Sequence, residues 1–204
     1  MDSKAFGPGI VAAFAAFALS ASAQTLPTPS HDYKSAPAGT YQIDPKHTGL
    51  IAHVPHLGFS YSIFRFTGVA GQLTWNPADP HADALSVTVD TTSIVTGPVQ
   101  GFAEELQGEK YLNAVKFPTA TFASTSFRPE GPTHGEVEGT LTLMGVTRPA
   151  TFDVDLVGAG SFFKRQVIGV EATTTLDPKV YGLPPFIAGP IQLVIDTEFD
   201  MQPS

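Results

Sequence analysis

Residues 140–156 read TLTLMGVTRPATFDVDL. Up to and through its first half, Val137, Gly139, Leu141 and Leu143 share one parity, while Glu136, Glu138, Thr140 and Thr142 share the other. Beyond GVTRP, Phe152, Val154 and Leu156 alternate with Thr151, Asp153 and Asp155. Period two means half-buried strands, and the short GVTRP join makes the pair a hairpin. The apolar parity must then face either another layer of protein or a cavity that holds something else.

Runs of the same kind recur on both sides, at roughly 48–57, 59–66, 69–76, 84–90, 119–127, 149–157, 166–176 and 190–200. In the last, Ile191, Leu193, Ile195 and Phe199 oppose Gln192, Asp196, Glu198 and Asp200. Many short, evenly spaced strands with one wet face predict an all-β sandwich or barrel. One segment breaks the pattern. In GPVQGFAEELQGEKYLNAVKFP, 97–118, Phe102 and Leu106 lie four apart among charged residues and Gly108 interrupts, which predicts one or two short helices lying across an open end.

The N-terminus has Lys4, the apolar run IVAAFAAFAL and then ASA before Gln24. This is the pattern of a secretory signal peptide, 1–23, and the run is shorter than the ~20 residues that span a bilayer. A Pro/Ser/Thr/Ala-rich stretch, 24–39, has no periodic face and is expected to be a mobile linker to a β-barrel domain, 40–204. The mature chain of roughly 180 residues is long enough for one core. It contains no cysteine, so export to a periplasm-like space fits better than a disulfide-stapled scaffold.

A formal charge of −8 with scattered Lys and Arg excludes nucleic acid as an expected partner. Neither a G-x-S-x-G elbow nor a glycine-rich turn followed by Lys-Ser or Lys-Thr occurs, and the strand carboxylates alternate outward, so no catalytic residues are expected. His47, His53 and His56 lie within ten residues of one another. Opposite strand faces make one metal centre for all three awkward, and no metal is expected. His56 either donates to a backbone carbonyl at a strand end or faces a cavity as the polar handle for a ligand. The abundant Phe and Tyr suit an ordinary core and a ligand cavity equally well.

Four motifs in order, YQIDPKHTGLIAHVPHLGFS, FRFTGVAGQL, EELQGEKYLNAVKFPTATFAST and GTLTLMGVTRP, resemble the YceI-like family of exported lipid-binding proteins. The resemblance implies an extended eight-stranded antiparallel lipocalin-like barrel whose interior holds a long polyisoprenoid, quinone-like or polyprenyl, as ligand rather than as cofactor. It implies a non-catalytic carrier in the periplasm, whose partners are the lipid, a homodimer as an option, and transient membrane contact for loading. The alternative is a packed barrel without lipid, acting as a stress-protective or interaction module.

Carried over residue by residue, His56, Phe66, Leu106, Tyr111 and Phe122 match the family pattern, as do Gly71, Pro118 and Arg148. The expected ligand-binding set is His56, Phe66, Leu106, Tyr111 and Phe122 with Phe64, Phe102 and Tyr181, and with the inward-parity Leu141, Leu143, Phe152 and Leu193. Arg148 is expected to brace its hairpin through backbone carbonyls. Two departures stand out. Phe64 replaces a usual glycine and should reshape the cavity, and LDPKVYGL keeps Tyr181 and Gly182 but lacks an arginine, which favours a neutral head group.

Overall fold

The computed structural model describes residues 27–203. The expected signal peptide and residues 24–26 of the linker lie outside the described residues. The strands are β1 (Gly39–Ile43), β2 (Gly49–His56), β3 (Ser60–Phe66), β4 (Val69–Trp75), β5 (Ala84–Asp90), β6 (Ile94–Val95), β7 (Thr119–Pro129), β8 (His134–Leu143), β9 (Val146–Phe162), β10 (Arg165–Leu176) and β11 (Ile191–Met201), with one α-helix, α1 (Phe102–Gln107).

Every pairing is antiparallel, and the strands follow one another round a closed wall. β1 and β2 both pair with β11, at its two ends, as Gln42↔Asp200 and Ala52↔Leu193 show. β4 pairs with β1 and β3 with β2; β5 pairs with β4 and β6 with β3. Each of these three couples is therefore one bent pass of the chain, and the wall is an eight-pass barrel closed where the first pass meets the last. Polar groups satisfy the bends. At the first, the Thr48 hydroxyl donates to the Asp44 carbonyl at 2.7 Å, which leaves the Thr197 hydroxyl to donate to Thr48, also at 2.7 Å, both side chains being buried.

The hairpin of residues 140–156 forms, but its turn is tighter than the GVTRP join suggests. Met144 (φ 52) and Gly145 (φ 76) alone make a two-residue loop with both φ positive, the geometry that matches strand twist. VTRP already belongs to β9. Counting outward from Leu143↔Val146, Thr140↔Pro149 is a non-hydrogen-bonded pair, so the missing N–H of Pro149 points away from β8. On that side β10 no longer pairs, its register with β9 ending at Thr173↔Asp153. Proline is tolerated at such a free edge.

The segment expected as a mobile linker is instead tied to the barrel over most of its described length. Ser30 exchanges both backbone hydrogen bonds with Ala159, Tyr33 N–H bonds the Pro132 carbonyl at 2.9 Å, and Ala36 is buried. Tyr33 sets its ring edge-on to Trp75 at 5.9 Å. The wholly buried Tyr41 donates from its hydroxyl to the Pro37 carbonyl at 2.7 Å. Side-chain anchors of this kind override the low periodicity of the segment.

Candidate functional site

Alternation puts one parity of every strand inside the wall, and those side chains do not fill it. A cavity of about 500 Å³ runs through the barrel. In β2 and β3 the even residues, among them Leu50, Ala52 and Val54, then Ser62, Phe64 and Phe66, line it, while Phe59, Tyr61 and Ile63 are exposed. Of the expected ligand-binding residues, all but Tyr181 line this one space: His56, Phe64, Phe66, Phe102, Leu106, Tyr111, Phe122, Leu141, Leu143, Phe152 and Leu193.

Three aromatic contacts organise the wall. Phe122 and Phe152, on β7 and β9, meet edge-to-face at 4.8 Å between centroids. Phe122 can lie there because β8 carries Gly139 on its inward parity; a Cβ at Gly139 would stand 2.5 Å from the ring and 2.3 Å from the Ala123 carbonyl. Phe64 meets Phe102 of α1 at 5.9 Å, and Tyr111 meets Phe186 at 6.2 Å. The crossover from α1 to Leu112 therefore spans one end of the cavity, as expected, and touches the 177–190 connection there.

His56 lines the cavity at its rim, the second of its two expected placements. Arg148 donates to the carbonyl of its own neighbour Thr147 at 3.0 Å, a bond within β9 that does not cross the hairpin. Tyr181 is a second correction. It sits on a 3-10 turn, Pro178–Tyr181, with its side chain buried in the core beneath the connection rather than at the cavity, and burial pushes its phenol up while the Arg148 charge opposes. A strand-based parity does not extend into that turn.

The cavity also has lining residues that the sequence reading missed. Phe186 and Ile187 come from an irregular Pro-rich loop with no periodicity. Trp75, Asp83, Arg128 and Glu136 gather at the end remote from α1. The only usable signal there was the single Trp of the chain standing at a strand end. Arg128 is already matched, its guanidinium donating to Glu136 at 2.7 Å and to Glu138. Among the described residues one group could chelate a cation, Asp44, His47 and Glu198, on the outside at the first bend; neither His53 nor His56 belongs to it. His47 is bonded to Asp44 at 2.8 Å, and that bond lifts the imidazole above its ordinary value.

Asp83 is the unusual acid of the site. It accepts the Asn76 backbone N–H, yet burial pushes its carboxyl up to about 6, with the Asp79 charge adding to the rise. The folded chain thus holds this proton more tightly than the unfolded one. Stability from this group is fully present below the ordinary value of 3.8 and is lost as pH rises toward about 6. Asp83→Asn keeps the acceptor and removes the charge. We expect it to stabilise the fold by on the order of 1 kcal/mol at neutral pH, discounted for water reaching this rim, and by nothing near pH 4. Thermal melts at the two pH values check this, and equal gains at both would remove the charge as the cause.

A family model described as YceI-like domain matches residues 41–200. The chain is 36% identical over 152 residues to a UPF0312 protein of Shewanella sp. (strain W3-18-1), covering 73% of this chain and 79% of that protein. Its fold is similar to that of the Campylobacter jejuni YCEI protein, with a TM-score of 0.66 at 22% identity over 74% of this chain and 91% of the other. It is also similar to that of a polyisoprenoid binding domain from Saccharophagus degradans, with a TM-score of 0.58 at 12% identity over 79% and 98% of the two chains.

Proposed function

Since the chain belongs to the YceI-like family, we propose that it is a non-catalytic carrier or reservoir for a long apolar isoprenoid lipid, of quinone or polyprenyl type, in the periplasm. The observation that carries this reading is the continuous apolar cavity through the barrel. The lining is almost wholly apolar, so water admitted through the open rim finds few hydrogen-bond partners there, at a cost in free energy. An apolar occupant removes that cost, which counts against the packed-barrel alternative. A chain burying roughly 600 Å² gains a gross ~15 kcal/mol, from which several kcal/mol of ordering and association must be subtracted. Submicromolar binding therefore needs no charged contact.

The pairing of Arg128 with Glu136 and Glu138 supports a neutral head group, because its guanidinium is already engaged by two carboxylates. The leader-like 1–23 and the absence of cysteine support the periplasm. The test is native mass spectrometry and lipid extraction of the purified chain. A stoichiometric apolar adduct is expected, and its absence from protein prepared without detergent would overturn the reading.

Phe64 sets the width of the cavity in this reading. It lines the space and leans on Phe102. Phe64→Gly should shift the co-purified lipid toward longer or bulkier chains and cost about 3–5 kcal/mol from the emptied volume and added backbone freedom. The mass spectrum of extracted lipid and a denaturation curve measure both; an unchanged lipid profile would dissociate Phe64 from selectivity.

A further inference from the structure

The β2–β3 hairpin carries features that the cavity does not use. In a chain with 19 acidic residues, 45–78 contain none, while Lys46, His47, His53, His56 and Arg65 fall within it. Its tip and outer face expose Leu57 (61%), Phe59 (88%), Tyr61 (64%) and Ile63 (50%). Leu57 holds φ 52, a conformation that glycine or asparagine would adopt at less cost, so turn geometry does not explain an apolar residue there. β3 is also an open edge along Ser60–Phe64, because β6 pairs only with Arg65 and Phe66. Leu57 and the equally exposed Phe186 line the cavity as well, so the tip of the hairpin is part of the cavity rim.

We propose that this hairpin is a membrane-docking element, which seats the cavity rim on a bilayer so that a lipid passes between membrane and barrel without crossing water. A contiguous apolar and aromatic surface suits the headgroup–acyl boundary, and a Tyr with an apolar ring and a polar tip is well placed there. The outward residues of the hairpin, Phe59, Tyr61, Ile63 and Arg65, include no carboxylate, so the strip itself brings no negative charge to lipid phosphates. The acids at this end lie on the crossover, at Glu104, Glu105 and Glu109, beside Lys110. A second copy of the chain is the weaker occupant, since self-association would set the Arg65-bearing face against itself.

The purpose of this contact rests on the lipid-carrier reading, but its measurement does not. The exported chain, its N-terminus checked by mass, is sedimented with phosphatidylcholine vesicles with and without phosphatidylglycerol. Phe59→Ser/Tyr61→Ser is compared with wild type. Both side chains are exposed, so the double variant should fold, and its melt verifies this. The expected result is vesicle binding by wild type and a loss of roughly tenfold or more in the variant, whose melt stays as in wild type. Failure of wild type to bind, or equal binding by the variant, overturns the docking element. So does sedimentation equilibrium showing a wild-type dimer that the variant dissolves without any vesicle binding, which would assign the face to a second copy. Vesicle binding with no adduct in either protein would sink the carrier reading and leave the docking surface standing.

Discussion

Replacing Phe152 by Asp is expected to leave no folded barrel at room temperature, whereas Asp153→Asn, one residue along, should stay within about 0.5 kcal/mol of wild type. Phe152 is buried and pairs with Val137 across the β8–β9 ladder, and its ring is fixed by Phe122 at 4.8 Å. Losing such a ring alone costs about 3–5 kcal/mol. A carboxylate left in the same wall has no partner and adds several kcal/mol of desolvation. The sum is comparable with the ~5–15 kcal/mol that holds a domain together. Circular dichroism and urea melts decide the matter. Leu141→Asp and Leu193→Asp should behave alike, since both side chains are buried and line the same cavity. Comparable losses at Asp153 would mean that the inward and outward parities had been exchanged.

Ala172→Phe is expected to do the reverse, keeping the fold and emptying it of lipid. Ala172 lines the cavity midway along β10, flanked by Val154 on β9 and Ile195 on β11. A phenyl ring grown from that wall fills space that is otherwise vacant or occupied by ligand. Filling a cavity commonly stabilises a protein by roughly 0.5–2 kcal/mol. A linear chain threading the barrel then has no continuous path. Native mass spectra of wild type and variant, with a melt of each, give the two readouts separately. Wild-type lipid occupancy in a folded Ala172→Phe protein would show that no ligand chain passes mid-barrel.

The strands that carry the cavity were legible because each alternates over several residues, but in 59–66 both parities are apolar, and only the family match at Phe66 pointed to the even set as the inward one. β1 and β6 were not legible. GTYQI and the two residues Ile94–Val95 are half-passes, too short for a period to register, and they are strands only because β4, β11 and β3 stand beside them. The long β9 was read short because alternation fades through VGAG, 157–160, where the ladder slips between Gly169 and Val170. The acid-bearing rim stayed hidden for a related reason. Trp75 and Asp83 flank the connection from β4 to β5, and Arg128, more than forty residues on, joins them at one end only through the folded wall. Periodicity reports which way a residue points, not which distant residue points with it.

Closure of that wall imposes an order on folding. Every other seam joins neighbours in the chain, whereas β11 must find β1 and β2 across nearly the whole length of the domain. Entropy opposes so long a loop, and the contact becomes favourable only after the intervening strands have formed. β11 is therefore the clasp. Until residues 191–201 are made, the growing chain has two raw sheet edges and no enclosed interior, so it cannot fold prematurely into its final form. A polypeptide built this way stays threadable until β11 is in place, and only then does it acquire a space to fill.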